Sequence, residues 1–165
     1  LFLGVTLNNM VPPDTDIFLR RLHKSLNKQD LLLIGFDLMK NPKILYNAYN
    51  DSKDLFEKFN LHLLDRINQV LGGTFKKEFF IHQGHYNPQV HALESYLYST
   101  KNQTVRISGL DKDFKFKAWE GTKTEQSYKY NIEEIRLLAK KNGFKIIKEF
   151  YDSRKYFVDS IWEVK

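Results

Sequence analysis

A carboxylate and a hydroxyl stand two residues apart near the end of a predicted strand, Glu125 and Ser127 in the stretch TKTEQSYKY. Residues two apart on a strand point to one face, so both side chains would face a pocket together while Gln126 and Tyr128 face away. A carboxylate accepts hydrogen bonds and a hydroxyl both donates and accepts them. The pair could therefore hold a small polar ligand. A solvated strand edge, with Glu125 paired to a nearby lysine, is the structural alternative.

Other possible reactive groups give weaker patterns. His82, His85 and His91 have spacings of three and six residues, which match neither a helical i, i+4 pair nor a known zinc pattern, and the chain has no cysteine to help them. We therefore predict no metal site. The chain has no G-x-S-x-G stretch, so hydrolase chemistry has no support.

Composition indicates a folded, lysine-rich domain. The chain has 165 residues, 42% of them apolar and 15% aromatic, and a formal net charge of +6. Its lysines alternate with acids and no block of five like charges occurs, which favours a solvated surface over a nucleic-acid patch. No apolar run reaches the length of a membrane span, and the first ten residues lack the basic segment of a signal peptide. We expect a cytoplasmic protein.

The first 40 residues predict a strand, a helix and a second strand. LFLGV is an apolar run that ends before Pro12-Pro13, and Asp14 or Thr15 is expected to cap the following helix. DLLLIGFDLM is a continuous apolar run, typical of a strand buried on both faces. This order predicts a right-handed parallel crossover, with ligands binding at the carboxyl ends of the strands, near Asn9 and Asp37.

The middle of the chain has a different texture. A short helix is expected after Pro42, then a long helix capped by Asp51 or Ser52 and ended by Gly72-Gly73. One stripe of that helix is apolar: Leu55, Phe59, Leu63, Ile67 and Val70. Short alternating segments follow, among them FKFKAW, and predict antiparallel strands with one wet face. The alternation in FKFKAW also fits a stacking surface for single-stranded nucleic acid.

The last residues again show the sequence pattern of an α/β fold. Asn131 and Glu134 form a capping box for a helix that Gly143 ends, and two strands joined by SRK then form a hairpin. Residues 41–121 therefore read as a lobe inserted into a sheet with helices.

Several stretches of the chain resemble the histidine-specific methyltransferase family, whose best-known member trimethylates the α-amine of histidine on the route to ergothioneine. They are FLGVTLNN, LLLIGFDLMKNPKILYNAYND, FEKFNLHLLDRIN and TEQSYKY, with weaker support from FFIHQGHYN and KNGFKIIKEFYD. The resemblance follows family order along nearly the whole chain.

The resemblance implies an α/β fold, a partial class I methyltransferase (Rossmann-like) sheet with an inserted α+β substrate-binding lobe. Residues 1–40 and 122–165 would form the C-terminal half of the core, and residues 41–121 the lobe. The N-terminal cofactor-binding half would be absent, since the chain contains no G-x-G-x-x-G. The cofactor implied is S-adenosylmethionine, which this portion alone is expected to bind weakly or not at all.

The resemblance also implies roles for particular residues. Glu125 and Ser127 match the contacts to the substrate imidazole, Asn9 the contact to its amino-acid end, and Tyr49 the hydrogen bond to its carboxylate. It assigns no catalytic residue to this portion.

Three further positions complete the implied site. Gly4 and Thr6 are expected to line the cofactor. Where the family has a methionine packed on the imidazole, this chain has Ser95, which implies a looser and more polar wall.

The function implied is methylation of the α-amine of histidine or a related amino acid, with no nucleic-acid or membrane partner. The alternative is a non-catalytic basic domain that binds RNA or another acidic partner on the same scaffold.

Overall fold

The computed structural model describes residues 1–2 and 4–165. In chain order its helices and strands are α1 (Pro12–Ser25), β1 (Leu31–Asp37), α2 (Pro42–Tyr49), α3 (Leu55–Leu71), β2 (Phe80–Asn87), β3 (Ala92–Ser99), β4 (Gln103–Ile107), β5 (Lys112–Phe116), β6 (Gly121–Tyr128), α4 (Ile132–Lys141), β7 (Phe144–Tyr151) and β8 (Phe157–Val164). None of these helices is long and apolar enough to cross a membrane, as judged on the described residues.

The chain divides into two compact units. The first unit comprises Leu1–Asn41, Asn87–Ala92 and Gln126–Lys165, and the second comprises Pro42–Tyr86 and Leu93–Glu125. The first contains a sheet of order β1–β8–β7. The sheet β2–β3–β6 and the hairpin β4–β5 supply the strands of the second, and the division falls inside β6, between Glu125 and Gln126.

The first segment of the chain pairs with β1 in parallel, as predicted. The amide N–H of Phe2 donates to the carbonyl oxygen of Leu33 at 2.8 Å, and Phe2 forms a parallel bridge with Ile34. The predicted strand over LFLGV is nevertheless too long. Leu3 lies outside the described residues, and the chain bends at Gly4 before a 3-10 turn at Thr6–Asn9. The parallel crossover from this segment to β1 therefore rests on a short contact.

Helix α1 begins earlier than predicted. Pro12 and Pro13 occupy its first turn, and Val11, not Asp14 or Thr15, is the residue before it. The ring of proline fixes φ near the helical value, and the N–H that proline lacks has no helical partner in a first turn. The proline pair that ends the preceding segment therefore also starts the helix, and the prediction of an Asp14 or Thr15 cap was wrong.

Aromatic side chains fill the core of the first unit. Trp162 of β8 has no exposed surface, and its ring centroid lies 5.8 Å from that of Phe36 and 5.6 Å from that of Phe144. The buried indole N–H donates to the hydroxyl of Ser160 at 2.8 Å, so the polar atom of the ring is satisfied. Strand β1 is buried on both faces at its centre, as its continuous apolar run predicted.

Helix α4 has the predicted ends. The Asn131 side chain accepts from the backbone N–H of Glu134, and the Glu134 carboxylate accepts from the backbone N–H of Asn131, both at 2.8 Å. Gly143 follows at φ +87°, a left-handed conformation that suits glycine. The predicted antiparallel hairpin after it is confirmed as β7 and β8.

Helix α3 of the second unit buries a different face from the one predicted. Leu55, Phe59, Leu63 and Val70 are exposed, whereas Asn60 and Leu64 are buried. The Asn60 amide is satisfied there, because it donates to the carbonyl of Phe56 and accepts from the hydroxyl of Thr124 at 2.8 Å. A polar residue whose amide has two hydrogen-bond partners thus takes a core position. The buried face predicted from the apolar stripe was wrong.

The hydrophobic core of the second unit is small and aromatic. Leu64, Phe80 and Leu97 are buried, and the rings of Phe75 and Phe116 pack around Phe80 with centroids 5.7 and 5.5 Å away. The predicted antiparallel strands are present, and β4 and β5 pair from Gln103–Phe116 to Ile107–Lys112. Trp119, just after β5, is 66% exposed.

The fold is mixed α/β. It combines a parallel contact at the start of the chain with the buried strand β1, helices and a closing antiparallel hairpin. The fold class expected from the sequence is confirmed.

We predict that Asn131→Ala lowers the free energy of unfolding by about 1 kcal/mol, because the first turn of α4 loses its side-chain cap. Asn131→Ser, which restores an accepting oxygen, should stay close to the parent protein. Urea unfolding followed by circular dichroism measures both, and equal stability of the two variants would contradict the cap's contribution.

The observed burial of α3 predicts a contrast within one helix. Leu64→Ala should cost about 2–5 kcal/mol, because it empties a buried position. Val70→Ala, at a position 71% exposed, should change stability by less than about 0.5 kcal/mol. Urea unfolding of the two variants tests the assignment, and a larger loss for Val70→Ala would restore the originally predicted face.

Candidate functional site

In the first unit, Asn8 holds the ends of two strands together. It has no exposed surface, and its side-chain amide donates to the backbone carbonyl of Asp37 at 3.3 Å and to that of Tyr128 at 2.5 Å. The side-chain oxygen of Asn8 has no hydrogen-bond partner among the described residues. Asn9, the residue expected to contact the substrate, is the next in the chain and is exposed.

A chain of charged and polar groups lies beside Asn8. The Lys129 ammonium is 2.8 Å from Asp37 Oδ2 and donates to Ser127 Oγ at 2.8 Å. Lys40 binds the other carboxylate oxygen, Asp37 Oδ1. The side chain of Lys129 is only 1% exposed, and that of Asp37 is 23% exposed. Removing Asp37 from such a pair would cost about 3–5 kcal/mol, because the Lys129 charge would stay buried without its counter-ion.

Ser127 and Glu125 both lie on β6, which is a continuous strand of eight residues. Ser127 is buried and bonded to Lys129, while Glu125 is half-buried and makes contacts of its own. Alternation along the strand is the structural basis for placing the two side chains on one side of β6.

The residues expected to face the cofactor lie in an open turn. Gly4 has φ +74°, and a Cβ built on it meets no atom within 4 Å. Thr6 and Asn9 are exposed. The space beside Gly4 leaves room for a bound molecule close to the backbone.

In the second unit, Tyr49 lines a polar cleft of about 200 Å³. The residues around the cleft are Tyr46, Tyr49, Asn50, Asp51, Asp54, Glu57, His82 and Gln83. They come from the end of α2, the start of α3 and strand β2, so two helix ends and one strand shape it.

Asn50 and Gly84 fix Tyr49 against β2. The Asn50 side-chain oxygen accepts from the backbone N–H of Gly84 at 2.9 Å, and its amide donates to the carbonyl of Tyr46 at 2.9 Å. A Cβ on Gly84 would lie 2.8 Å from Cβ of Tyr49, closer than side chains pack. Only a glycine at this position allows α2 to approach the strand so closely.

Three carboxylates, Asp51, Asp54 and Glu57, line the cleft, but Asp51 is used in hydrogen bonds to the nearby backbone. Its oxygens accept from the backbone N–H groups of Phe56, Leu55 and Lys53, which hold the pKa of Asp51 below its usual value. This bonding is the predicted capping of α3, although Asp54 is the residue directly before the helix.

His82 is the buried histidine of the cleft. Burial lowers its pKa, a smaller effect of Glu57 raises it, and its Nε2 has no hydrogen-bond partner among the described residues. That atom is also shielded from solvent.

The other residues considered in the sequence, Ser95, His85 and His91, do not lie in this cleft. Ser95 is fully buried in β3, and its hydroxyl has no partner among the described residues. His85 Nε2 lies 3.1 Å from the Tyr98 hydroxyl, and His91 Nδ1 lies 3.5 Å from a Glu134 oxygen. Within residues 1–2 and 4–165, no group of three acidic or histidine side chains is arranged to hold a metal ion.

Sequence reasoning missed Lys129, Asn8 and Gly84. Lys129 carried a usable signal, because it continues the two-residue alternation of Glu125 and Ser127. A lysine on the face expected to line a pocket implies a buried counter-charge, and Asp37 was already placed at a strand end.

Comparisons with known proteins extend over the whole chain. A family model described as histidine-specific methyltransferase, SAM-dependent, matches residues 1–164. The histidine N-alpha-methyltransferase of Mycolicibacterium smegmatis is 33% identical over 135 residues, which are 82% of this chain and 42% of that protein. Ergothioneine biosynthesis protein 1 of Schizosaccharomyces pombe is 29% identical over 91% of this chain and 19% of its own length.

The chain thus spans less than half the length of these curated relatives. A solved S-adenosylmethionine-dependent methyltransferase from Clostridium acetobutylicum has 10% sequence identity and a TM-score of 0.48, over 97% of this chain and 55% of that one. The match of residues 1–164 to the family model shows that this chain belongs to the histidine-specific, S-adenosylmethionine-dependent methyltransferase family.

Proposed function

We propose that the protein carrying this chain transfers a methyl group from S-adenosylmethionine to the α-amine of histidine or a related amino acid. The family match over residues 1–164 carries the proposal. Within it, residues 41–121 would supply the substrate-binding lobe, and residues 1–40 and 122–165 would belong to the methyltransferase core. The two polar side chains of β6 fit a recognition site for the substrate ring.

The chemistry that S-adenosylmethionine supplies when bound is an electrophilic methyl group on a sulfonium. The protein must hold the lone pair of a neutral amine in line, about 3 Å away, and positioning of this kind accounts for several kcal/mol of a barrier. The main contribution of this chain to catalysis is therefore to recognise and position the amino acid.

The imidazole would be held by Glu125 and Ser127. The carboxylate of Glu125 accepts from a ring N–H, and the hydroxyl of Ser127 meets the second ring nitrogen. A hydrogen bond with one charged partner contributes about 1.5–3 kcal/mol, so Glu125 dominates this contact.

The amino-acid end would be held by Asn9 and Tyr49. The amide of Asn9, exposed after the 3-10 turn, can accept from the amine and donate to the carboxylate. The Tyr49 hydroxyl would donate to the carboxylate, with its ring packed against Phe56 at a centroid distance of 4.4 Å. On the cofactor side, Gly4 and Thr6 remain proposals of the same kind.

Ser95 would adjust the choice of substrate. Its buried hydroxyl lacks a partner among the described residues, and a polar ring atom or a water could supply one. A related amino acid with an additional polar ring atom is therefore a reasonable second substrate. The RNA-binding alternative gains no support from the comparisons, and a cytoplasmic location stays a prediction.

We predict that Glu125→Gln weakens histidine binding by about 10–100-fold, since a charged acceptor is replaced by a neutral one. Calorimetry on the full-length protein, saturated with S-adenosylhomocysteine, measures the dissociation constant. Glu133→Gln, an exposed glutamate in the first turn of α4, is the matched control and should bind histidine as the parent does. Unchanged affinity in Glu125→Gln would refute the ring contact.

We predict that Tyr49→Phe weakens histidine binding by about tenfold or more, because one hydrogen bond to a carboxylate is lost. Histamine, which has the same ring and amine but no carboxylate, should bind the variant and the parent equally well. Tyr46→Phe removes a neighbouring hydroxyl of the same cleft and should leave histidine affinity intact. An equal loss of histamine and histidine binding in Tyr49→Phe would show that the hydroxyl does not contact the carboxylate.

A further inference from the structure

Lys129 is the most deeply buried charged side chain near the proposed ring contact. Its side chain is 1% exposed, and its ammonium lies 2.8 Å from both Ser127 Oγ and Asp37 Oδ2. Lysine is almost never fully buried without a partner, because desolvation penalises its charge. The two short contacts account for its position at the end of β6.

Asp37 is itself held firmly. Lys40 binds its second carboxylate oxygen, and its backbone carbonyl accepts from the N–H of Tyr130 at 3.1 Å and from Asn8. The carboxylate therefore keeps the Lys129 ammonium in one place, and that ammonium meets Ser127 at a fixed distance.

This contact fixes the role of the Ser127 hydroxyl. An ammonium group has three donors and no acceptor, so Ser127 Oγ must accept from Lys129. One of the two lone pairs of the hydroxyl is thereby occupied, so its hydrogen points away from the ammonium and can be donated to a second group. The adjacent positive charge polarises the O–H bond and strengthens it as a donor.

We propose that Lys129 is a positioning residue that fixes the Ser127 hydroxyl as a hydrogen-bond donor, so that the site selects a neutral imidazole with a lone pair facing Ser127. This inference rests on the proposed function, in which Glu125 accepts the N–H of the same ring. The two contacts together admit one neutral tautomer. An imidazolium would bring a second positive charge to within one hydroxyl group of the Lys129 ammonium, which disfavours that form.

The direct test uses the unmodified full-length protein. Histidine labelled with ¹⁵N in its ring is bound in the presence of S-adenosylhomocysteine, and the ¹⁵N chemical shifts distinguish protonated from unprotonated ring nitrogens. We expect one of each in the bound ligand near neutral pH. Two protonated nitrogens would overturn the proposal, whereas failure of histidine to bind at all would instead refute the proposed function.

A double-mutant cycle tests the route of action. Ser127→Ala and Lys129→Met should each weaken histidine binding by about tenfold, and the double variant should bind no more weakly than Ser127→Ala alone. Losses that multiply in the double variant would show that Lys129 does not act through Ser127. Lys145→Met removes a positive charge from an exposed position of β7 and controls for net charge.

The pH dependence separates positioning from a merely structural role. Parent affinity should fall as pH drops through the imidazole pKa of about 6.5, because the free ligand then takes up a proton that the site rejects. In Lys129→Met the repulsion from the ammonium is absent and both lone pairs of the hydroxyl can accept a ring N–H, so this fall should flatten. An unchanged pH profile in the variant would contradict the proposal. Asp37→Asn/Lys129→Met, which removes both charges, replaces Lys129→Met if that variant fails to fold.

Discussion

A lysine is almost never fully buried without a partner, and the first unit meets this constraint with an ion pair. Lys129 lies at the end of β6 and Asp37 at the end of β1, so their ion pair joins segments that are far apart in sequence. Asn8 reinforces the junction through the backbone carbonyls of both segments. The carboxyl end of β1 is therefore fixed to the end of β6. The residues that follow these two strands start from fixed positions.

This junction gives a reason for burying the charged Lys129–Asp37 pair, which is a costly arrangement. A buried ion pair contributes little net stability, since desolvation offsets much of the attraction. Its value here lies in geometry, because the ammonium occupies one lone pair of the neighbouring hydroxyl and turns the hydroxyl hydrogen away from itself. The family resemblance named Ser127, and the contacts add the groups that give its hydroxyl a direction.

The sequence predicted the elements whose signals are local. The capping box of Asn131 and Glu134, the stop at Gly143 and the apolar run of β1 each lie within a few residues, and each is present. The start of α1 was misjudged because proline suits both the end of one segment and the first turn of a helix. The buried face of α3 was misjudged because Asn60 finds its partner at Thr124, which no helical periodicity encodes. For the same reason the role of Gly84 became visible only with its distant neighbour Tyr49 in place, while the substrate roles of Glu125, Asn9 and Tyr49 remain proposals.

The two tryptophans of the chain divide between the two units, one in each. Trp162 is sealed among Phe36 and Phe144, whereas Trp119 is mostly open to solvent. Their fluorescence therefore has two separable components, a blue-shifted one insensitive to iodide and a red-shifted one that iodide quenches. Each unit of this chain therefore has its own intrinsic fluorophore. The unfolding of the first unit and that of the second can be followed independently without any label.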